Sequence, residues 1–382
     1  MSTDLTFYNG ANFLQCETSN NDYTEAQGNV FGILCASVMK KRFQLMRDIL
    51  NFDLSSHNTF GIHAACKRFV EIETPLEAAD FFKTANLDNQ PFLIIGGGSN
   101  LLLTNDFKGV VVRSAIMGMT VEECDGMVWL RCGSGEVFDD VVTYAVKNGW
   151  YGMENLSLIP GDVGAAAVQN IGAYGAEAKD IIHSIEAVET STGKQVVIPA
   201  DECAYGYRDS RFKHEWFQQY FITAVTYRLS TVFQPRLDYG NIRAQLEEKG
   251  IAQPDAAQLR QVIIDIRNAK LPDPKVEGNA GSFFVNPVVS REKYEQLAAE
   301  YPGMPHYTID DSHEKIPAGW LIEQCGWKGR NLGRAGVHHK QALVLVNKGG
   351  ATGQEVLQLC EAVKDDVLRK FGIEIHSEVN IV

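Results

Sequence analysis

Three stretches of this chain carry residue types whose spacing could do chemistry. The first is Gly96-Gly97-Gly98-Ser99-Asn100, and the second runs from Ile159-Pro160-Gly161 through Gly164, Ala165, Ala166, Gln169, Asn170, Gly172 and Ala173 to Tyr174 and Gly175. Small residues at this density let backbone N–H groups approach a phosphate closely. The first run lacks the Rossmann fingerprint, because Leu101 stands where the third glycine belongs. It is not a Walker loop either, since no Gly-Lys-Ser/Thr follows. Alone it reads equally well as a tight turn, and the second run as a tightly packed loop. In the second, Gln169, Asn170 and Tyr174 add side-chain hydrogen bonding. Two such loops in one region point to a dinucleotide cofactor. The third stretch, Asn279 to Pro287, places Ser282 in a polar turn between glycines and two phenylalanines. Its lead-in, Lys270-Leu271-Pro272-Asp273-Pro274-Lys275, is stiffened by proline and fixes where Ser282 points. On residues alone this is a rigid polar turn in a cleft. Arg208, among Tyr205, Tyr207 and Phe212, is either a solvated loop charge or a guanidinium held by aromatic stacking.

The bulk properties narrow the class. With 382 residues, 45% hydrophobic and 22% charged, the chain suits two or three globular domains. A net charge of −13 argues against a general nucleic-acid partner, which needs a basic face, but leaves room for a local anion pocket. No apolar run is long enough to span a bilayer and no signal-peptide layout opens the chain, so a cytoplasmic protein with no membrane partner is expected. The eight cysteines are scattered without paired spacing and read as free thiols. His338 and His339 are adjacent, would face opposite ways on a strand, and make poor chelators; no metal is expected.

The elements that position these residues follow from period and punctuation. Residues 1–50 show no sustained period and read as an accessory extension. From residue 51 the texture changes: strands are expected at 69–73, 91–95, 110–112 and 128–131, with helices at 75–84 and 138–147, the latter stopped by Gly149. Strands at 184–189, 195–198 and 221–229 follow. After a turn carrying Tyr239, the helix 255–269 aligns Leu259, Val262, Ile263 and Ile266 on one face. Helices at 294–300, 318–325 and 354–370, a strand at 342–347 and an alternating last ten residues complete the chain.

Taken in order, the motifs resemble the UDP-N-acetylenolpyruvoylglucosamine reductases over about residues 51–382. The carriers are N-T-F-G at 58–61, G-G-G-S-N at 96–100, I-P-G at 159–161, Q-N-I-G-A-Y-G at 169–175 and Y-R-D-S at 207–210. K-L-P-D-P-K at 270–275, G-N-A-G-S-F-F at 278–284 and S-E-V at 377–379 complete the set. The resemblance implies an α+β fold: a two-lobed FAD-binding domain of the vanillyl-alcohol-oxidase (PCMH) type plus a separate α+β substrate-binding domain. The FAD domain would span 51–232, with lobes of about 51–115 and 116–232. The tyrosine loop and substrate domain would take 233–355, and 356–382 would return as a helix and strand to the first lobe. It implies non-covalent FAD, NADPH as co-substrate, the enolpyruvyl ether of UDP-N-acetylglucosamine as substrate, and a monomer.

The same resemblance assigns roles. Ser282 would give the proton, while Arg208 and Glu378 would lie beside the enolpyruvyl carboxylate. A glutamate there helps only if it is protonated or hydrogen-bonded by its neighbours. Tyr207, Tyr239, Lys270, Asn286 and Gln341 would contact substrate. The cofactor contacts would come from Gly96 to Asn100, from Ile159, Pro160, Gly161, Gly164, Ala165 and Ala166, and from Gln169, Asn170, Gly172, Ala173 and Tyr174. One departure stands out. Ala165, Ala166 and Ala167 occupy positions where the family commonly has a small hydroxyl residue, which puts flavin affinity in question. Two other readings remain: an FAD oxidase of a sugar or alcohol, needing no Arg208–Ser282–Glu378 set, and a nucleotide-sugar binder without flavin.

Overall fold

The computed structural model describes residues 46–85, 87 and 90–382. The readings for residues 1–45, including Cys16 and Cys35, lie outside the described residues. Five strands begin the chain: β1 (Arg47–Asp53), β2 (Ala65–Ile72), β3 (Phe92–Ile95), the short β4 (Leu101–Leu102) and β5 (Phe107–Ser114). All but β4 form one sheet in the order β1-β2-β5-β3, with β5 parallel to both neighbours. Val110-Val111-Val112 is fully buried, which explains why it reads as an unbroken apolar run and not as an alternation. Helix α1 (Pro75–Thr84) starts where the Thr74 side chain accepts the Glu77 N–H at 3.1 Å, with Pro75 in its first turn. It lays Ala78, Phe81 and Phe82 on Val70, Ile72, Val110 and Val112. Strand β1 begins inside the stretch expected to be an extension to residue 50. It is mostly exposed, so it carries no apolar period that a sequence reading could find.

The second lobe adds β6 (Met119–Cys124), β7 (Met127–Gly133), α2 (Phe138–Lys147) and α3 (Val163–Gln169). It continues with β8 (Gly172–Ala173), β9 (Ala176–Glu177), β10 (Ile182–Glu189), β11 (Gln195–Pro199) and β12 (Tyr220–Ser230). Its antiparallel sheet runs β11-β10-β12-β7-β6. Phe138, Val141, Val142 and Ala145 of α2 pack on Val128, Leu130, Val225 and Tyr227. Helix α3 lies inside the stretch read above as a loop. Its alanines are strong helix formers, and Ala166 and Ala167 are buried in this core. Val188 and Phe221 reach across to the α1 cluster and join the two lobes.

The third part holds α4 (Ile242–Glu248), α5 (Ala256–Lys270), β13 (Asn279–Ser282), β14 (Val288–Ser290), α6 (Arg291–Glu300), β15 (Tyr307–Thr308) and β16 (His313–Lys315). Helix α7 (Ala318–Gln324), strands β17 (Asn331–Leu332), β18 (Ala335–Val337) and β19 (Val344–Asn347), helix α8 (Gly353–Phe371) and strand β20 (Asn380–Ile381) follow. The main sheet runs β13-β19-β18-β17. Helix α8 opens with a capping box between Thr352 and Glu355 and ends at Gly372, whose φ is 61°. The resemblance implies that this helix returns to the first lobe. Its stripe of Val356, Leu359, Cys360, Val363, Val367 and Phe371 joins Phe283, Phe284, Leu321, Val337 and Leu345 of the third part in a cluster that also takes in Phe60, Ile62 and Leu102 of the first lobe. The first-lobe sheet has no face to spare, because α1 covers one side and a cluster around Phe69, Leu103 and Val111 the other. The helix meets that lobe at its start, where Gly353 lies against the Leu103–Thr104 backbone, and β20 lies parallel beside β4.

One smaller reading changes. His338 and His339 lie past the end of β18 with rings 4.5 Å apart, and so do not face opposite ways. Among the described residues no group of three or more His, Cys, Asp or Glu could hold a metal, and no helix is long and apolar enough to cross a membrane. Cys66, Cys132, Cys203 and Cys360 are buried free thiols, with Cys132 and Cys360 pushed up to about 12 by desolvation.

Candidate active site

Loop 96–100 leaves the end of β3 and meets the turn before α3. The Ser99 hydroxyl donates to the Pro160 carbonyl at 3.1 Å, joining the two glycine-rich stretches across the lobes. Gly98 is required here: its φ is +67°, and a Cβ would fall 2.0 Å from the His57 carbonyl oxygen. Among the described residues the N–H groups of Gly96, Gly97, Gly98, Ser99 and Asn100, and of Ala165 in α3, find no protein acceptor. Backbone donors left open in succession are a cradle for an anion. A cavity of about 340 Å³ opens beside them, lined by Gly96, Gly98, Ser99, Gly164, Ala165 and Gln169 among others. The chemistry of these donors fits the diphosphate of a dinucleotide. The missing hydroxyls at 165–167 leave this backbone set intact, and Ala166 faces the core in any case.

Asp162, just before α3, is 5% exposed and its Oδ2 has no hydrogen-bond partner. Burial pushes its carboxyl up to about 6, opposed by Arg113, whose Nη2 is 3.9 Å away. The sequence reading passed over this residue, since the stretch that follows it reads as a loop and gives an acid there no special place. Here the side chain caps nothing.

The reactive candidates converge from four segments. Glu378 is delivered by backbone pairing: its N–H donates to the Phe283 carbonyl at 2.8 Å, and its own carbonyl accepts Asn100 Nδ2 at 3.2 Å. Ser282 ends β13 opposite Val344, next to that Phe283 anchor, with Gly281 at φ 71° before it. The Ser282 hydroxyl is half-buried and has no protein partner among the described residues. The buried Asn279 orients this turn, accepting the Gly281 N–H at 2.9 Å and donating to the Glu277 carbonyl at 2.8 Å. Arg208 sits in a turn closed by Gly206 and Asp209, with a positive φ of 55°. Its Nη2 donates to the Gly172 carbonyl, and its Nε lies 3.1 Å from Glu378 Oε1. That Nε–H is not aligned for a hydrogen bond, so the contact is an ion pair only. Gln169 Nε2 donates to the same Glu378 oxygen at 3.3 Å.

Tyr207 and Asn286 join this group, since the Tyr207 hydroxyl lies within electrostatic reach of Asn286, Arg208 and Glu378. Asn286 Oδ1 also accepts the Ala318 N–H at 2.9 Å, at the start of α7. Tyr239 stands edge-on to Tyr174 at 6.5 Å and is 47% exposed. Desolvation raises the phenols of Tyr174, Tyr207 and Tyr239. Lys270, at the end of α5, is exposed, and Gln341 Oε1 accepts the Leu343 N–H at 3.3 Å. No contact among the described residues ties either to the Arg208 group. Asn170 is fully buried, and Ile159, Pro160, Gly161 and Ala173 form the loop and short strand on either side of α3.

Two cations were not foreseen. Lys315 on β16 places Nζ 4.7 Å from the Tyr207 ring and 5.6 Å from the Tyr307 ring. Arg267 on α5 has no acceptor for its Nε. Burial lowers its guanidinium pKa, within electrostatic reach of Tyr174 and Arg208. Neither stands in a local motif, so only the assembled fold reveals them.

The chain matches an FAD binding domain family over residues 66–198 and the C-terminal domain of UDP-N-acetylenolpyruvoylglucosamine reductase over residues 273–382. It is 52% identical over 332 residues to the UDP-N-acetylenolpyruvoylglucosamine reductase of Bacteroides fragilis (strain YCH46), covering 87% of this chain and 99% of that one. The reductase of the same name from Burkholderia multivorans is 46% identical over 329 residues, covering 85% and 94%. Among solved structures, the UDP-N-acetylenolpyruvylglucosamine reductase of Thermus caldophilus superposes with a TM-score of 0.60 at 24% identity, over 88% of this chain and 98% of that one, a likeness of fold.

Proposed function

Because the chain belongs to the UDP-N-acetylenolpyruvoylglucosamine reductase family, FAD-containing oxidoreductases acting on a CH–CH group, we propose that it reduces the enolpyruvyl ether of UDP-N-acetylglucosamine with NADPH as reductant. The product is UDP-N-acetylmuramate. The observation that carries this is the Arg208–Glu378 pair, held at 3.1 Å between the glycine-loop cradle and the Ser282 turn. The N–H groups of loop 96–100 and Ala165 would hold the diphosphate of FAD, bound without a covalent tether. Bound there, it would supply the hydride-transfer chemistry that links NADPH to the methylene carbon of the vinyl group.

The protein's own part is electrostatic and protonic. Hydride addition leaves negative charge on the neighbouring carbon and its carboxylate, an enolate-like species. Arg208 stabilises that charge by a fixed positive group in a water-poor site. Glu378 already matches one positive charge, so the arriving carboxylate draws on a second. Arg267, which makes no salt bridge among the described residues although Asp139 lies within electrostatic reach, supplies it. Ser282, its hydroxyl uncommitted within the protein, gives the proton to the carbon bearing the developing charge. Tyr207, Tyr239, Lys270, Asn286 and Gln341 line the approach for the nucleotide sugar. Lys315 stiffens Tyr207 by standing over its ring.

The test is NADPH oxidation by purified protein, followed with and without the enolpyruvyl nucleotide sugar, beside a flavin absorbance spectrum. Turnover should require the sugar. Colourless protein that takes up no added FAD would refute the reading, and turnover with oxygen alone would favour an oxidase.

A further inference from the structure

Three consecutive residues at the end of α3 hold both halves of the Arg208–Glu378 pair. Gln169 donates to Glu378 Oε1 at 3.3 Å. On the Arg208 side, Asn170 Nδ2 donates to the Gly206 carbonyl at 2.6 Å, and the Val168 carbonyl accepts the Ser210 hydroxyl, also at 2.6 Å. Gly206 and Ser210 flank the turn that carries Arg208, and Gly206 and Asp209 close it with backbone bonds of 3.0 and 3.2 Å. The helix end therefore grips that turn at both of its roots. Asn170 is 0% exposed and its amide is occupied by protein. Nδ2 also donates to Glu177 Oε2 at 3.0 Å, and Oδ1 accepts the Lys179 N–H at 2.9 Å.

We propose that Asn170 is a positioning residue that sets Arg208 against Glu378 through the Gly206–Asp209 turn, and that it contacts neither cofactor nor substrate. Both donors of a side-chain amide and one lone pair of its oxygen are committed here, and the group has no exposed surface. Arg208 is held in a left-handed backbone conformation, which persists only where the surroundings over-determine it. The Asn170 and Ser210 ties supply that constraint. The catalytic consequence rests on the reading that Arg208 and Glu378 receive the substrate carboxylate.

Asn170 also caps α3 with a φ of 45°, so a plain capping role has to be separated from positioning. Asn170→Gly does this: glycine adopts the left-handed conformation freely and removes only the amide. With this variant, single-turnover reoxidation of reduced flavin by the enolpyruvyl substrate should slow by about 10- to 100-fold, the usual cost of a misplaced group. Flavin reduction by NADPH should stay within about threefold of the wild type. Ser210→Ala, which cuts the other tie, should show the same selective loss and carries the test if Asn170→Gly fails to fold. Equal loss in both half-reactions, in step with FAD retention and melting temperature, would overturn the proposal. A crystal structure of each variant gives a second readout: the Arg208 Nε to Glu378 Oε1 separation should widen, and an unchanged separation overturns positioning. If the wild-type protein itself shows no reaction with the enolpyruvyl sugar, the functional reading fails, and the crystallographic separation alone decides the role of Asn170.

Discussion

Arg208 Nε stands 3.1 Å from Glu378 Oε1, and the arginine that makes this pair is anchored from behind by its Nη2 bond to the Gly172 carbonyl. The guanidinium is thus pinned at one edge and paired at another. A lysine cannot do both, because its ammonium is a point charge without the planar fork. Arg208→Lys should therefore lower kcat by about 10²- to 10³-fold while flavin reduction by NADPH persists. Steady-state kinetics check this. A raised KM for the nucleotide sugar with kcat unchanged would mean that Arg208 only binds.

Ser282 sits on the same small frame, since the residue after it accepts the Glu378 N–H at 2.8 Å. Its hydroxyl has no protein partner among the described residues, so truncation leaves no unsatisfied group behind. Ser282→Ala should fold normally, keep its flavin and accept electrons from NADPH at close to the wild-type rate. Transfer to the enolpyruvyl substrate should slow by about 10² or more, the order expected for a lost general acid. Stopped-flow traces of the two half-reactions separate these steps, and equal slowing of both would make Ser282 structural.

The glycine loops were legible as phosphate cradles because the reason for a glycine is local: Gly98 must be glycine wherever its turn occurs. The same holds for α1, α2 and α8, whose starts, stops and apolar faces are written in adjacent residues. The partners of those faces are not. Nothing near Val356 says that its helix packs on the Phe283 core, because that choice depends on which sheet still has an open face. Strand β1 was missed since an exposed edge strand needs no apolar period. The burial of Asn170 was not legible, because a buried amide and an exposed one have the same sequence. Lys315 and Arg267 join the site only across β16 and α5, so no spacing could announce them.

Gly172 tests how closely the Arg208 anchor is packed. A Cβ there would meet the Ala176 carbonyl oxygen at 2.8 Å and Arg208 Nη1 at 2.9 Å. The carbonyl belongs to backbone paired between β8 and β9, so the arginine is the side that can give way. Gly172→Ala should cost about 1–3 kcal/mol of stability, the usual range for overpacking. It should also lower turnover with the sugar by more than that loss explains, because Arg208 moves off Glu378. Melting curves beside kcat measure both. A variant as active and stable as wild type would show that the contact is slack.

Asp162 gives a pH signature. Its folded-state carboxyl lies at about 6 against an ordinary 3.8, raised by burial and only partly offset by Arg113 at 3.9 Å. A raised carboxyl pKa means that the neutral form suits the fold. Its stabilising contribution is complete below about pH 4 and is lost as pH rises through 6. Above that, the fold carries a buried charge at a cost of about 3 kcal/mol, from 1.36 kcal/mol per unit. Asn is nearly isosteric with the neutral acid and cannot ionise. Asp162→Asn should therefore raise the apparent melting temperature of the FAD-loaded protein at pH 8 by about 5 °C. The gain should shrink to about 1 °C or less near pH 4, where the wild-type residue is already protonated. An equal gain at both pH values would assign the effect to packing instead of charge. Destabilisation at pH 8 would mean that the ionised carboxylate has a partner when cofactor is bound, and that the Asp162–Arg113 pair is part of the cradle.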